Sequence, residues 1–189
     1  MKGKTLLTMR LKASADYDNN IVDGTYSDKK SASIAMLPMW AYVDVATRKI
    51  AFSLMTSRLV IDLKNIPADC GKAKLVVTSK THKLNGLFTT DITQQTKKTD
   101  PLTTIPEFTI ADKESDGTDN ILSFCFDTEG SEIAERVFCF PIPTGTYEAG
   151  DLSITLVKED ASEISIEADW TASTAVFSRA RGKLVRFTI

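Results

Sequence analysis

The sequence predicts an all-β chain, folded as an antiparallel β-sandwich of about ten short strands. Three observations predict it. Apolar and polar residues alternate over short runs, as where Leu59, Ile61 and Leu63 are set against Arg58, Asp62 and Lys64. Clusters of turn-forming residues interrupt these runs at spacings close to the roughly 8–12 residues typical of sandwiches and barrels. No stretch sustains the helical period of about 3.6 residues.

Taken in order, Thr5 to Leu11 alternates weakly and predicts a first strand, whereas Ser14 to Ser33 is rich in Asp, Asn, Ser and Lys and reads as a long loop. Within that loop a short extended piece is expected at Ile21 to Tyr26. Ile34 to Val45 is apolar again, and Pro38, which has no N–H to give a ladder, places its first half at a sheet edge. The central group runs from Ile50 to Ser79: Ile50, Phe52 and Leu54 form one row, Leu59, Ile61 and Leu63 a second, Leu75 and Val77 a third. Between the second and third, Asn65 to Gly71 contains Pro67 and a glycine able to take positive φ, so the chain turns there, and the two flanking strands are expected to pair antiparallel.

After a turn at Thr81, His82 and Lys83, the pattern resumes over Leu84 to Thr90. Asp91 to Thr104 is polar and unpatterned, a long loop suited to contact with a partner; Ile105 to Ala111, with Pro106, suits an edge strand; Asp112 to Asn120 is a turn. Leu122, Phe124 and Phe126 share one strand face, Phe138, Phe140 and Ile142 another, and these six are predicted core. Leu152, Ile154 and Leu156 face Ile164, Ile166, Ala168 and Trp170 in a hairpin turning at Lys158 to Ser162. In the closing strand Val185, Phe187 and Ile189 share one face, and Leu184, Arg186 and Thr188 the other.

A chain of 189 residues with 42% hydrophobic content can bury a core, and it reads as one domain spanning 1–189, with 1–33 a loosely attached strand plus loop. The 23 basic and 25 acidic residues leave a net charge of −2, so no broad field attracts nucleic acid or an anionic membrane, and neither is expected as a partner. No run reaches the roughly 18 apolar residues of a membrane span. Thr8, Arg10 and Lys12 break up the apolar residues near the N-terminus, so it does not read as a signal peptide.

The three cysteines, Cys70, Cys125 and Cys139, lack metal-ligand spacing. Cys125 and Cys139 are expected on neighbouring strands, opposite their flanking phenylalanines; a cross-strand bridge and two unpaired, small apolar thiols are both open, the second being preferred. His82, the single histidine, stands in a turn without a nucleophile motif nearby and reads as solvated rather than catalytic. Asp112 to Asp119 offers oxygens of the kind calcium takes but misses the EF-hand spacing, and reads as an acidic turn. No catalytic residue, metal or cofactor is therefore expected, although a carboxylate pair assembled by folding stays open as a third reading. Trp170 is in phase with core positions, whereas Trp40 follows Pro38 and Met39 in a less regular stretch and is the candidate for stacking on a glycan, with Tyr42 near it.

Four stretches carry a family likeness. They are Leu37 to Trp40; Phe52 with Leu59 to Ala68; Phe138 to Tyr147, an aromatic-Pro-apolar-Pro-x-Gly-x-Tyr run; and Arg179 to Leu184 before the final strand. In the third, Pro141 and Pro143 end ladder pairing, Gly145 permits a turn, and Tyr147 can pack back on the strand it left. With these stretches the chain resembles the fimbrillin-like family of Bacteroides, which includes subunits of protease-assembled, type V-like pili. The resemblance implies a transthyretin-like, Greek-key β-sandwich, export to the cell surface and outer membrane, and a role as fimbrial subunit or associated adhesin. The implied partners are other fimbrial subunits, or a host surface protein or glycan, with homo-oligomers among the outcomes.

The chain departs from the family pattern in lacking the lipoprotein signal with its lipid-bearing cysteine and a second sandwich domain, so it resembles the first module. It also has Ser53, Leu54 and Met55 where relatives often place a histidine after the phenylalanine. The mechanism expected is β-strand addition at the chain ends, Thr5 to Leu11 and the strand carrying Leu184, Val185, Phe187 and Ile189. That both ends are ordinary intramolecular strands is equally open. The alternative is a glycan-binding module that uses Trp40.

Overall fold

Short alternating runs bury one face only when strands assemble side by side, and this assembly dominates the chain. The computed structural model describes residues 6–17, 21–26, 29–33, 39–44, 48–91, 110–111, 119–168, 171–177 and 182–189. Nearly all of its regular structure is β, as expected; the described residues hold seventeen strands rather than about ten, and a single 3-10 turn at Ala68–Cys70.

In chain order the first strands are β1 (Leu6–Leu11), β2 (Ser14–Asp16), β3 (Ile21–Tyr26), β4 (Lys29–Ser33), β5 (Met39–Asp44) and β6 (Lys49–Leu54). Next come β7 (Ser57–Ile66), β8 (Lys72–Ser79), β9 (Gly86–Asp91), β10 (Ile110–Ala111), β11 (Ile121–Asp127) and β12 (Ile133–Ile142). The last are β13 (Gly145–Tyr147), β14 (Leu152–Val157), β15 (Glu163–Ser165), β16 (Ala175–Phe177) and β17 (Gly182–Thr188). Two five-stranded sheets form the body, ordered β15-β14-β8-β11-β2 and β17-β7-β12-β4-β3. A three-stranded sheet, β1-β9-β10, and the ribbons β13-β16 and β5-β6 complete the pairing. Most neighbours are antiparallel, but β2 on β11, β4 on β12 and β17 on β7 run parallel.

The apolar rows of both large sheets enter one buried cluster. Leu75, Val77, Leu122, Phe124, Phe126, Leu152, Ile154 and Leu156 come from one sheet; Leu59, Ile61, Leu63, Phe138, Phe140, Ile142 and Val185 come from the other. All six predicted core residues on β11 and β12 are buried. The rings interlock between sheets, with Phe124 centred 5.5 Å from Phe138 and 5.1 Å from Phe140, and Phe126 5.4 Å from Phe138. Such tilted and edge-on contacts suit the charge distribution of aromatic rings, and burying each ring contributes about 1.5–3 kcal/mol. Val60, Val137 and Cys139 form a second buried cluster, on the face of the β7 sheet away from the main core. Both faces of β7 are thus covered, and Leu59 to Leu63 is buried without a break, including Asp62.

Several expectations are corrected. The turn after Asn65 does not pair β7 with β8: the first lies between β17 and β12, the second between β14 and β11. Cys70 N donates to Pro67 O at 3.2 Å, Cys70 is fully buried, and Gly71 adopts φ 57, ψ −135, so the link passes from one sheet to the other. This buries the Leu59 and Leu75 rows against each other across the core instead of leaving both on one sheet face. Ser14 to Ser33 contains β2 and β4 as well as the expected strand β3. Polar β2 and β4 are specified by parallel backbone ladders to β11 and β12, and side-chain alternation does not reveal such ladders.

Cys125 and Cys139 are likewise not on neighbouring strands. Their strands belong to different sheets whose phenylalanines point toward each other, so the two thiols point to opposite outer faces, and all three cysteines are free. The hairpin of β14 with β15 and the terminal strand β1 are as expected. The loop at 92–104, all but Ile110–Ala111 of the expected edge strand at 105–111, the acidic turn at 112–118, Pro38 and Trp170 lie outside the described residues, and Ile110–Ala111 stands at the edge of its sheet.

Candidate functional site

The most developed polar constellation forms where the bend after β8 meets the start of β14. Asp151, 5% exposed, accepts hydrogen bonds at Oδ1 from Lys80 N (3.1 Å), Thr81 N (2.8 Å) and Thr81 Oγ1 (2.8 Å). Its Oδ2 accepts from Ser79 Oγ at 2.8 Å and stands 2.9 Å from His82 Nδ1. A carboxylate only accepts, so Nδ1 carries the proton in this network. Burial alone would push the Asp151 carboxyl upward, but the side-chain hydrogen bonds from Thr81, Ser79 and His82, with the Thr81 backbone, outweigh it and hold the group below the usual carboxylate range.

His82 is therefore not simply solvated, which corrects the sequence expectation. Ser, His and Asp meet here, but in the wrong order for a nucleophilic triad, because the aspartate stands between serine and histidine. Ser79 Oγ is also committed as acceptor to His82 N (2.8 Å) and Thr81 N (3.3 Å), and Ser79 is fully buried. The constellation pins a bend.

From the bend, contacts lead to the closing strand. The His82 ring lies 4.3 Å from that of Tyr147, which meets Phe177 edge-on at 5.3 Å, and Lys183 Nζ sits 5.7 Å from the Phe177 ring. Tyr147 OH donates to Pro143 O at 2.9 Å, tying the corner that the Pro-Ile-Pro-Thr-Gly-Thr-Tyr run predicts. Burial first, and the nearby Asp151 charge second, push the Tyr147 hydroxyl far above its ordinary pKa, so it stays a donor.

The candidate interface residues lie on β17, the outermost strand of its sheet among the described residues, which pairs parallel to β7 from Gly182↔Arg58 to Thr188↔Lys64. Val185 is 3% exposed and joins the core; Phe187 and Ile189 pack partly against it; Leu184 is 36% exposed on the opposite face. Arg186 Nε lies 3.7 Å from buried Asp62. The first and last described strands are thus held intramolecularly, β17 on β7 and β1 on β9. Trp40 occupies β5 opposite Ser53, but its side chain lies outside the described residues, as does that of Tyr42. Sequence reasoning missed Asp151, whose partners are about seventy residues away and share no local pattern with it.

Among the described residues no helix is long and apolar enough to cross a membrane. No protein-family model and no curated protein matches the chain.

Proposed function

We propose that the chain is a non-enzymatic cell-surface protein, a fimbrial subunit or associated adhesin of the fimbrillin-like kind, built as one transthyretin-like, Greek-key β-sandwich module. Two five-stranded sheets that share one aromatic core support the sandwich reading. The observation that carries the functional reading is β17: a C-terminal strand in parallel register on β7, with one apolar row in the core and its other edge on the outside of the sheet. Such a strand can be supplied by a neighbouring subunit as well as by its own chain, because main-chain hydrogen bonds provide affinity and the alternate side chains Val185, Phe187 and Ile189 provide register. Its partners are other subunits or a host surface molecule, and its location is the outer surface of the cell.

The test is size-exclusion chromatography with light scattering, before and after brief trypsin treatment, on the full chain and on a variant lacking residues 184–189, each mixed with a peptide spanning Leu184 to Ile189. The reading expects the shortened variant to capture the peptide, and the cleaved full chain to capture it or form a ladder of oligomers. A shortened variant that stays folded and ignores the peptide would refute it.

A further inference from the structure

The free edge of β17 carries an inference that does not rest on strand exchange, because it leaves β17 on its own β7. Ile189 N donates to Lys64 O at 3.0 Å, so the backbone of Ile189 faces β7. A strand turns successive backbone groups to opposite sides. Phe187, Val185 and Lys183 therefore face β7 as well, whereas Gly182, Leu184, Arg186 and Thr188 turn their N–H and C=O groups outward. Among the described residues β7 is the only strand beside β17, which leaves those outward groups as a template for another strand. The side chains of Leu184, Arg186 and Thr188 are exposed on the sheet face away from the core.

The residues along this edge decide what fits it. A second β17 laid antiparallel, with Val185 opposite Val185, brings Leu184 opposite Arg186, Gly182 opposite Thr188 and Lys183 opposite Phe187, each pair occurring twice about the two-fold axis. All the outward residues are then paired, and no charge stands directly opposite its like. Other registers fit worse. Sliding by two residues sets Arg186 against Arg186 in one direction, and in the other leaves Thr188 without a residue of β17 opposite it. Sliding by one sets core-facing side chains beside outward ones. Each Arg186 stays next to its own Asp62, with Nε 3.7 Å away, which offsets the diagonal approach of the two arginines.

We propose that two copies of this chain pair antiparallel through the outer edges of β17, in the register centred on Val185, and so join their two β7 sheets into one about a two-fold axis. Backbone hydrogen bonds at Gly182, Leu184, Arg186 and Thr188 supply the affinity, and the side chains select the register. The occupant is a second copy because the edge complements itself.

The experiment is sedimentation velocity on the full chain over a concentration series up to about 1 mM, with amide exchange measured at both ends of the series. Expected are a reversible monomer–dimer equilibrium and protection of the Leu184, Arg186 and Thr188 amides that grows with concentration, while Val185 and Phe187, facing β7, stay protected throughout. Charge at position 184 reads the register. Leu184→Lys sets a lysine against Arg186 at both places in the dimer and should weaken dimerisation about three- to thirtyfold, whereas Leu184→Glu should leave it as tight as wild type or tighter. Leu184→Pro removes an outward N–H without touching the β7 ladder, so it should abolish the dimer and leave the monomer folded by thermal melting. If it does not fold, the two charge variants decide. The proposal is overturned by a chain that stays monomeric throughout, by Leu184→Lys and Leu184→Glu weakening the dimer alike, as they would at a plain apolar patch, or by a dimer whose Leu184 and Arg186 amides exchange as in the monomer. Peptide capture by the chain lacking residues 184–189 does not depend on these outcomes, so the two readings fail separately.

Discussion

Replacing Asp151 by Asn tests whether one carboxylate holds the bend after β8 to the start of β14. The amide keeps an oxygen for Lys80 N, Thr81 N and Thr81 Oγ1, but puts an NH₂ where Oδ2 accepted from Ser79 Oγ and faced His82 Nδ1. Ser79 Oγ already accepts from two backbone N–H groups, so turning its hydroxyl does not repair the clash of donors. A hydrogen bond to a charged group is worth about 1.5–3 kcal/mol and an orphaned buried donor costs about 1–3, so, with partial repair by histidine tautomerisation, Asp151→Asn should destabilise by about 2–4 kcal/mol at neutral pH. The Asp151 pKa is lowered in the folded state, so its contribution is fully present above the unfolded carboxyl range near pH 4 and fades as pH falls through the lower folded value. Urea unfolding should therefore show a gap between wild type and variant that is constant from pH 7 to 5 and narrows toward pH 3. A gap under about 0.5 kcal/mol at pH 7, or one that does not narrow in acid, would refute the assignment.

Three further outcomes follow from the geometry. Gly71 takes φ 57, ψ −135, and a Cβ there would overlap Glu159 Oε2, so Gly71→Ala should cost about 2–4 kcal/mol in denaturant unfolding, with Glu159→Ala recovering only the overlap part. Ala161 holds φ 65 in the β14–β15 turn, so Ala161→Gly should raise stability by about 0.5–1 kcal/mol; a loss would mean the turn is not left-handed there. With Cys125 half-buried and Cys70 and Cys139 buried, thiol titration should find one fast-reacting group in the folded chain and three after denaturation, and reductant should leave the melting temperature unchanged. Only one titratable thiol in the denatured, unreduced chain would show a bridge.

Where large and small side chains alternate, the sequence is readable. Phe124 and Phe126 alternate with less buried or smaller residues because β11 turns one face to the core, and Phe138 and Phe140 keep the same period because the residues between them, Val137 and Cys139, are smaller although also buried. The Tyr147 corner is readable for a similar reason, since Pro143, the acceptor of its hydroxyl, is only four residues away. Sheet membership is not readable. Leu59 and Leu75 carry the same alternation whether their strands pair side by side or face each other across the core, and only the packing of Cys70 and the backbone at Gly71 decides. Nor are β2 and β4: Ser14 to Asp16 and Lys29 to Ser33 are polar enough to resemble loop, and parallel backbone pairing makes them strands.

The outer side of β17 carries its own protection against indiscriminate pairing. Among the described residues β17 lies at the end of its sheet, where a long unpaired edge invites pairing with any strand. Lys183 and Arg186 place charge on that strand, and Arg186 is held toward Asp62, so an arriving strand must tolerate basic neighbours. Deleting residues 184–189 removes Val185 from the core and should therefore cost several kcal/mol in urea unfolding, whereas Ser153→Trp should leave stability within about 0.5 kcal/mol, because Ser153 is exposed. Equal effects of the two changes on stability would contradict the placing of Val185 in the core.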